Sequence, residues 1–246
     1  METQILIKLV KETYNDICIK LDVLKEIYQR IEQINLESNI ISNNDIQTVK
    51  VIPNYEEELY IPYTFKNEKL SEMPDLSNYK NLKKININNH KIKDLGVLPD
   101  TLEELHCSNN KITNFDNLPT NLKVLKCAAN YGITSLDNLP LGLKYLDCSL
   151  NGLIISLDKL PSNLQVLECS HTGINSLDNL PRSLIKLICG GNKLKTLNNL
   201  PPNLIKLECN HNAELHLDNI PITVKELVIT GIASANITKN DIAIYR

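Results

Sequence analysis

Tryptophan is absent and phenylalanine occurs only twice in 246 residues. Large aromatic anchors, which carry much of the energy in many interfaces, are therefore scarce. Positive charge is not in excess either: 26 Lys and Arg face 29 Asp and Glu, for a net charge of −3. That balance argues against a general nucleic-acid or anionic-membrane binder, which needs a basic surplus. No uncharged apolar run approaches the roughly 18 residues that cross a bilayer. The N-terminus lacks a basic n-region, and Lys8 and Lys11 break its apolar run, so no signal peptide is expected. The expectation is a cytoplasmic chain, or one in the host cytoplasm if the source is a virus or an effector-secreting bacterium.

Signatures of chemistry are also missing. There is no Cys-x-x-Cys pair for zinc. The five histidines, His90, His106, His171, His211 and His216, form no His-x-x-x-His pair, and no nucleophile elbow or phosphate loop is present. Gly190-Gly191 lacks the flanking pattern of a dinucleotide loop and suits a strand-exit turn. Asn236-Ile237-Thr238 fits a glycosylation acceptor only by chance without a leader. No catalytic residue, metal or cofactor is expected, and the reading is of a protein that is not an enzyme.

What is present is a phrase, Leu-Pro-x-x-Leu-x-x-Leu-x-Cys-x-x-Asn, seen most cleanly from Leu118 to Asn130. Its prolines are Pro99, Pro119, Pro140, Pro161, Pro181, Pro201 and Pro221, spaced by 20 or 21 residues. A coil without the proline begins at Leu82. Fixed-period repetition means stacked units that share one core. Alternation from the second leucine to the cysteine suits a strand with one buried face. The Leu-Asp-Asn-Leu-Pro segment favours turns, and the residue before each proline is driven out of the helical region. About eleven residues including a proline leave no room for a helix on the return path.

The phrase resembles that of the leucine-rich repeat family, in particular the short Leu-Pro class of bacterial effectors and of amoeba and giant-virus repeat proteins. The resemblance covers about residues 79–232. It implies an α/β repeat solenoid, a right-handed horseshoe with a parallel β-sheet on its concave face and an irregular, extended convex side. Residues 1–48 lie outside the repeat. Ile17, Leu21, Leu24, Tyr28 and Ile31 fall at helical spacing there, which suggests an N-terminal helical cap. Residues 49–78 read as degenerate lead-in coils, 79–232 as seven full coils and a partial eighth, and 233–246 as a C-terminal cap. Some bacterial members carry a ubiquitin-ligase domain after the repeats, and the fourteen or so residues that follow here are too few for one.

Three columns run through the coils. Leucines (Leu105 to Leu227) form the core. Cysteines (Cys107, Cys127, Cys148, Cys169, Cys189 and Cys209) alternate at the array ends with Ile87 and Ile229, so the slot is apolar and the thiols act as small hydrophobes. Neighbouring strands about 4.8 Å apart are too distant for the ~3.8 Å Cβ separation of a disulfide. Asparagines (Asn110, Asn130, Asn151, Asn192 and Asn212) satisfy the backbone at the strand exit. His90 and Thr172 depart from that column, and Thr172 is expected to weaken its turn. Extra residues after Asn130 and Asn151 account for the two 21-residue spacings.

Function is left to the residues between the buried ones. Val124, Tyr145, Val166 and Ile188 form an apolar centre, rimmed by Lys126, Asp147, Glu168 and Lys186. An apolar centre with a charged rim is the anatomy of a protein interface. The expectation is a monomeric, non-enzymatic module that binds a protein partner through the concave face, with no nucleic acid and no membrane involved. The alternative is a substrate-recognition adaptor for a ubiquitin ligase, whose scaffold the N-terminal helix would recruit.

Overall fold

The computed structural model describes residues 52–54 (backbone only), 57–61, 69–217 and 219–231. The chain divides into two compact units, Met1–Thr48 and Val49–Arg246. The helical cap expected over residues 1–48 and the C-terminal cap over 233–246 lie outside the described residues.

The second unit is built on one ten-stranded sheet whose strand order is the chain order. β1 (Ile52–Asn54) and β2 (Glu58–Tyr60) precede the regular coils. These contribute β3 (Lys84–Asn86), β4 (Glu104–His106), β5 (Val124–Lys126), β6 (Tyr145–Asp147) and β7 (Val166–Glu168). The last three are β8 (Lys186–Ile188), β9 (Lys206–Glu208) and β10 (Glu226–Val228). From β2 onward every pair is parallel and in register, so Leu105 faces Leu125, Leu125 faces Leu146, and so on. β1 instead pairs antiparallel with β2. Residues 49–78 thus supply a reversed edge strand before the first parallel one, with Pro53 on the edge where a missing donor is tolerated.

From β4 to β9 the leucine of each strand is buried between two half-exposed neighbours, as strand alternation requires. Leu105, Leu125, Leu146, Leu167, Leu187 and Leu207 are fully buried. Each contributes about 1.5–3 kcal/mol of apolar burial. The six ladder cysteines are free and buried beside them. The prolines close the return path: the carbonyl of each repeat proline accepts from the N–H three residues on, as in Leu122 to Pro119 (3.1 Å), Leu184 to Pro181 (3.1 Å) and Val224 to Pro221 (3.0 Å). No helix occurs among the described residues. The outer side is turns and extended chain, with Asn138, Asn179, Asn199 and Asn219 at positive φ before their Leu-Pro or Ile-Pro pairs.

The asparagine column is a hydrogen-bonded spine. Asn130 Nδ2 donates to Cys107 O and Cys127 O (3.0 Å each), and its Oδ1 accepts from Ile112 N (3.0 Å). Each asparagine thereby ties its own strand exit to the coil before it. His90 does the same work at the first coil. Its Nε2 reaches Ile61 O and its Nδ1 accepts from Leu70 N, both 3.2 Å. This needs the neutral ring, and burial chiefly holds the His90 pKa below its ordinary value. Thr172 keeps only the local half, since its Oγ1 reaches Cys169 O (3.0 Å) but no bond runs back to Cys148.

Candidate partner-binding face

Outward positions on the strands form two columns. The first runs Lys84, Glu104, Val124, Tyr145, Val166, Lys186, Lys206 and Glu226, and the second runs Asn86, His106, Lys126, Asp147, Glu168, Ile188, Glu208 and Val228. Register puts Val124, Tyr145 and Val166 side by side on β5, β6 and β7, and places Ile188 in the second column, diagonal to Val166. The sheet brings together the eight residues Val124, Lys126, Tyr145, Asp147, Val166, Glu168, Lys186 and Ile188. All eight are half-buried. The apolar centre is therefore less open than alternation alone implies, because long side chains from adjacent coils lean over it.

Those cross-coil contacts are specific. Lys126 Nζ sits 5.6 Å from the centroid of the Tyr145 ring, within cation–π range. On the other side the Tyr145 hydroxyl meets Glu168. Burial first, then the Glu168 charge and hydrogen bond, push the phenol pKa up. Glu168 in turn accepts from Lys186 at 2.8 Å. Tyr145 is thus held between a cation and a carboxylate from its two neighbouring coils. Asp147 Oδ1 accepts from Ser149 N at 3.0 Å.

Charge over the remainder of the face is internally compensated. Lys206 bridges Glu208 (3.0 Å) and Glu226 (3.2 Å), and Lys84 pairs with Glu104 at 3.4 Å. His106 Nε2 is buried 2.5 Å from Glu104 Oε1. Burial first, and Lys126 second, hold the His106 pKa below its ordinary value. Partly exposed pairs of this kind are worth little each. Their consequence is that the face presents a nearly neutral surface with its apolar residues in the middle.

The thiols take no part in the surface. Burial pushes the ladder cysteines up, Cys209 to about 12, so they are thiols and not thiolates at neutral pH. No group of three or more His, Cys, Asp or Glu that could hold a metal exists among the described residues. No helix there is long and apolar enough to cross a membrane.

A third coil carries an extra residue that the repeat length conceals. Ile133 N, Ile154 N and Leu215 N each bond back to the spine asparagine three residues earlier, at 3.0 Å. In the coil of Leu215 the next step is one residue shorter, so the period stays at 20 and the insertion cannot be read from proline spacing.

Parallel coils of this length, a leucine core and an asparagine spine define a leucine-rich-repeat solenoid. Among solved structures the chain is similar to YopM from Yersinia enterocolitica WA-314, with 29% identity and a TM-score of 0.51 over 65% of this chain and 40% of that one. It is also similar to the functional domain of InlJ from Listeria monocytogenes, described as including a cysteine ladder. That match has 26% identity and a TM-score of 0.52, over 70% of this chain and 44% of that one. A Shigella effector leucine-rich-repeat domain matches at 20% identity with a TM-score of 0.41, over 73% of this chain and 71% of that one. The chain thus spans less than half the length of the first two structures. No protein-family model and no curated protein sequence matches it.

Proposed function

We propose that this chain is a non-catalytic protein-interaction module that captures a protein partner on the outward face of its sheet. The observation that carries the reading is the contiguous apolar row Val124–Tyr145–Val166, set between the Lys84–Glu104 pair on one side and the Lys186–Glu168 pair on the other. Desolvating such a centre is favourable, while the rim fixes register. Ile188 extends the apolar area toward β8. The likeness to YopM and to the InlJ domain supports a protein-interaction module in general, and we take its location to be the cytoplasm, of a host cell if the source is a virus or an effector-secreting bacterium. The adaptor reading rests on residues 1–48, outside the described residues, and no observation favours it.

Affinity capture from a host-cell lysate tests the proposal, comparing the native chain with a Tyr145→Glu, Val166→Lys variant. The variant should melt like the parent, because both side chains are half-exposed and outside the leucine core, and it should lose the partner. Equal capture by a folded variant would remove the sheet face from consideration.

A further inference from the structure

A second surface lies along the edge where the chain leaves the strands. The residue after each spine position forms a row there: Lys91, Lys111, Tyr131, Gly152, Gly173, Lys193 and Ala213. The middle of this edge is apolar. Tyr131 is 68% exposed, Leu150 45%, Leu153 54% and Ile155 70%. All four come from the two consecutive coils that carry an inserted residue. The surface at Gly152 beside them is open, since a Cβ there would meet nothing within 4 Å. Lysines flank this middle on both sides: among the described residues no carboxylate pairs with Lys91, Lys111 or Lys193, whereas most lysines of the sheet face are paired. Asp116, Asp158 and Asp178 lie on the outer turns, where they accept from Asn138, Asn179 and Asn199 of the following coils, and Glu214, in the coil after Lys193, is paired with Lys195 at 2.9 Å.

We propose that this edge, from Lys111 to Lys193, docks an extended protein segment with apolar side chains at its middle and carboxylates at both ends. Four strand spacings separate the two lysines, about 19 Å at ~4.8 Å each, which is the length of about six extended residues. Charge complementarity supplies the ends, and the exposed Tyr131, Leu153 and Ile155 beside the open surface at Gly152 take the middle. An anionic bilayer fits worse, because the chain carries a net charge of −3 and only isolated lysines flank the apolar middle. The site does not depend on the sheet-face reading.

The test uses the full chain and a fluorescent eight-residue peptide with two glutamates, four leucines or phenylalanines and two more glutamates. Fluorescence anisotropy should show binding that weakens as salt rises, although chain and probe are both net negative. Gly152→Glu fills that open surface at a position with free space and no positive φ. It should reduce affinity by about tenfold or more, as should Ile155→Asp and the Lys111→Glu, Lys193→Glu pair. Tyr145→Glu should leave this binding unchanged. The proposal is overturned if the probe does not bind, or if a counterpart with lysines at its ends binds as well. It also fails if the Gly152 and Ile155 variants bind like the parent, if only phosphatidylserine vesicles bind, or if the edge is found covered by a second copy of the chain in light scattering.

Discussion

Thr172→Asn should stabilise the protein, which is an unusual outcome for a buried substitution. The spine is continuous from Asn110 through Asn130 to Asn151, and again from Asn192 to Asn212, with Thr172 between. Asn151 donates to Cys127 O (3.1 Å) in the preceding coil and accepts from Asn130 N (2.8 Å). The Thr172 hydroxyl is too short for either reach, and its single proton is divided between Cys169 O (3.0 Å) and Asn192 Oδ1 (2.9 Å). An asparagine would add a donor to Cys148 O and an acceptor for Asn151 N. Two buried bonds at a net ~0.5–1.5 kcal/mol each give about 1–3 kcal/mol, less several tenths for ordering a longer side chain. A gain of about 1–2 kcal/mol remains. At roughly 2–4 °C per kcal/mol for a unit of this size, the melting temperature should rise by about 2–8 °C. Because repeat arrays can lose two-state behaviour, amide exchange across residues 148–174 is the sharper assay, and protection should increase there. Asn151→Thr is the mirror experiment and should cost a similar amount. If Asn151→Thr destabilises while Thr172→Asn gains nothing, the coil at Thr172 has relaxed to a geometry that needs no bridge. If neither moves, the cross-coil bonds carry no net stability.

Other consequences can be measured as readily. Cys148→Ser should cost about 1–3 kcal/mol in a urea melt, since it buries a hydroxyl without a designed partner. The ladder thiols, raised by burial, should resist alkylation at neutral pH until the chain unfolds, and rapid labelling of the folded form would contradict their placement. His90 and His106 both have folded pKa values below the ordinary 6.5. The unfolded chain then binds more protons as pH falls below 6.5, so stability is full above that value and declines below it. His90→Asn should keep the spine bonds and flatten that decline, which denaturant melts at a series of pH values would reveal. Gly191→Ala should destabilise by about 1–3 kcal/mol. Its φ is +64, and a Cβ would come within 2.4 Å of the His171 ring. A His171→Ala background should recover the steric part and leave the backbone part.

Much of the interior was legible because a column repeats one environment. Leu, then Cys or Ile, then Asn recur at fixed phase, and each has a physical reason to be inside. His90 was visible as a departure, but its role was not. That a neutral imidazole can place a donor and an acceptor where an amide does depends on the lead-in segment bringing Ile61 O and Leu70 N to it. The antiparallel β1 could not be read from Ile52–Asn54, because three residues around a proline do not encode strand direction. Alternation alone placed the eight candidate residues on the outward face of the sheet. Their partial burial was not foreseen, since Lys126 and Glu168 cover Tyr145 across sequence separations of about twenty residues.

The two surfaces arise from the same economy of construction. A solenoid coil needs its leucine, its apolar slot, its spine amide and its proline turn. Substitutions in those columns keep their physics: Ile for Cys, His for Asn. Outward columns carry no such constraint, so a short run of coils can depart from its neighbours without disturbing the stack. The departures found here coincide along the array. Val124, Tyr145 and Val166 interrupt a charged face on β5, β6 and β7, while Tyr131, Leu153 and Ile155 interrupt a lysine-bearing edge in the coils of β5 and β6. An inserted residue can be accommodated at the strand exit, where the asparagine carbonyl closes the extra turn, but not within the strand, where it would shift every inward side chain outward. Insertions are therefore confined to the edge. The exposed residues they bring can change without altering the sheet face, which makes the two surfaces separable by mutation.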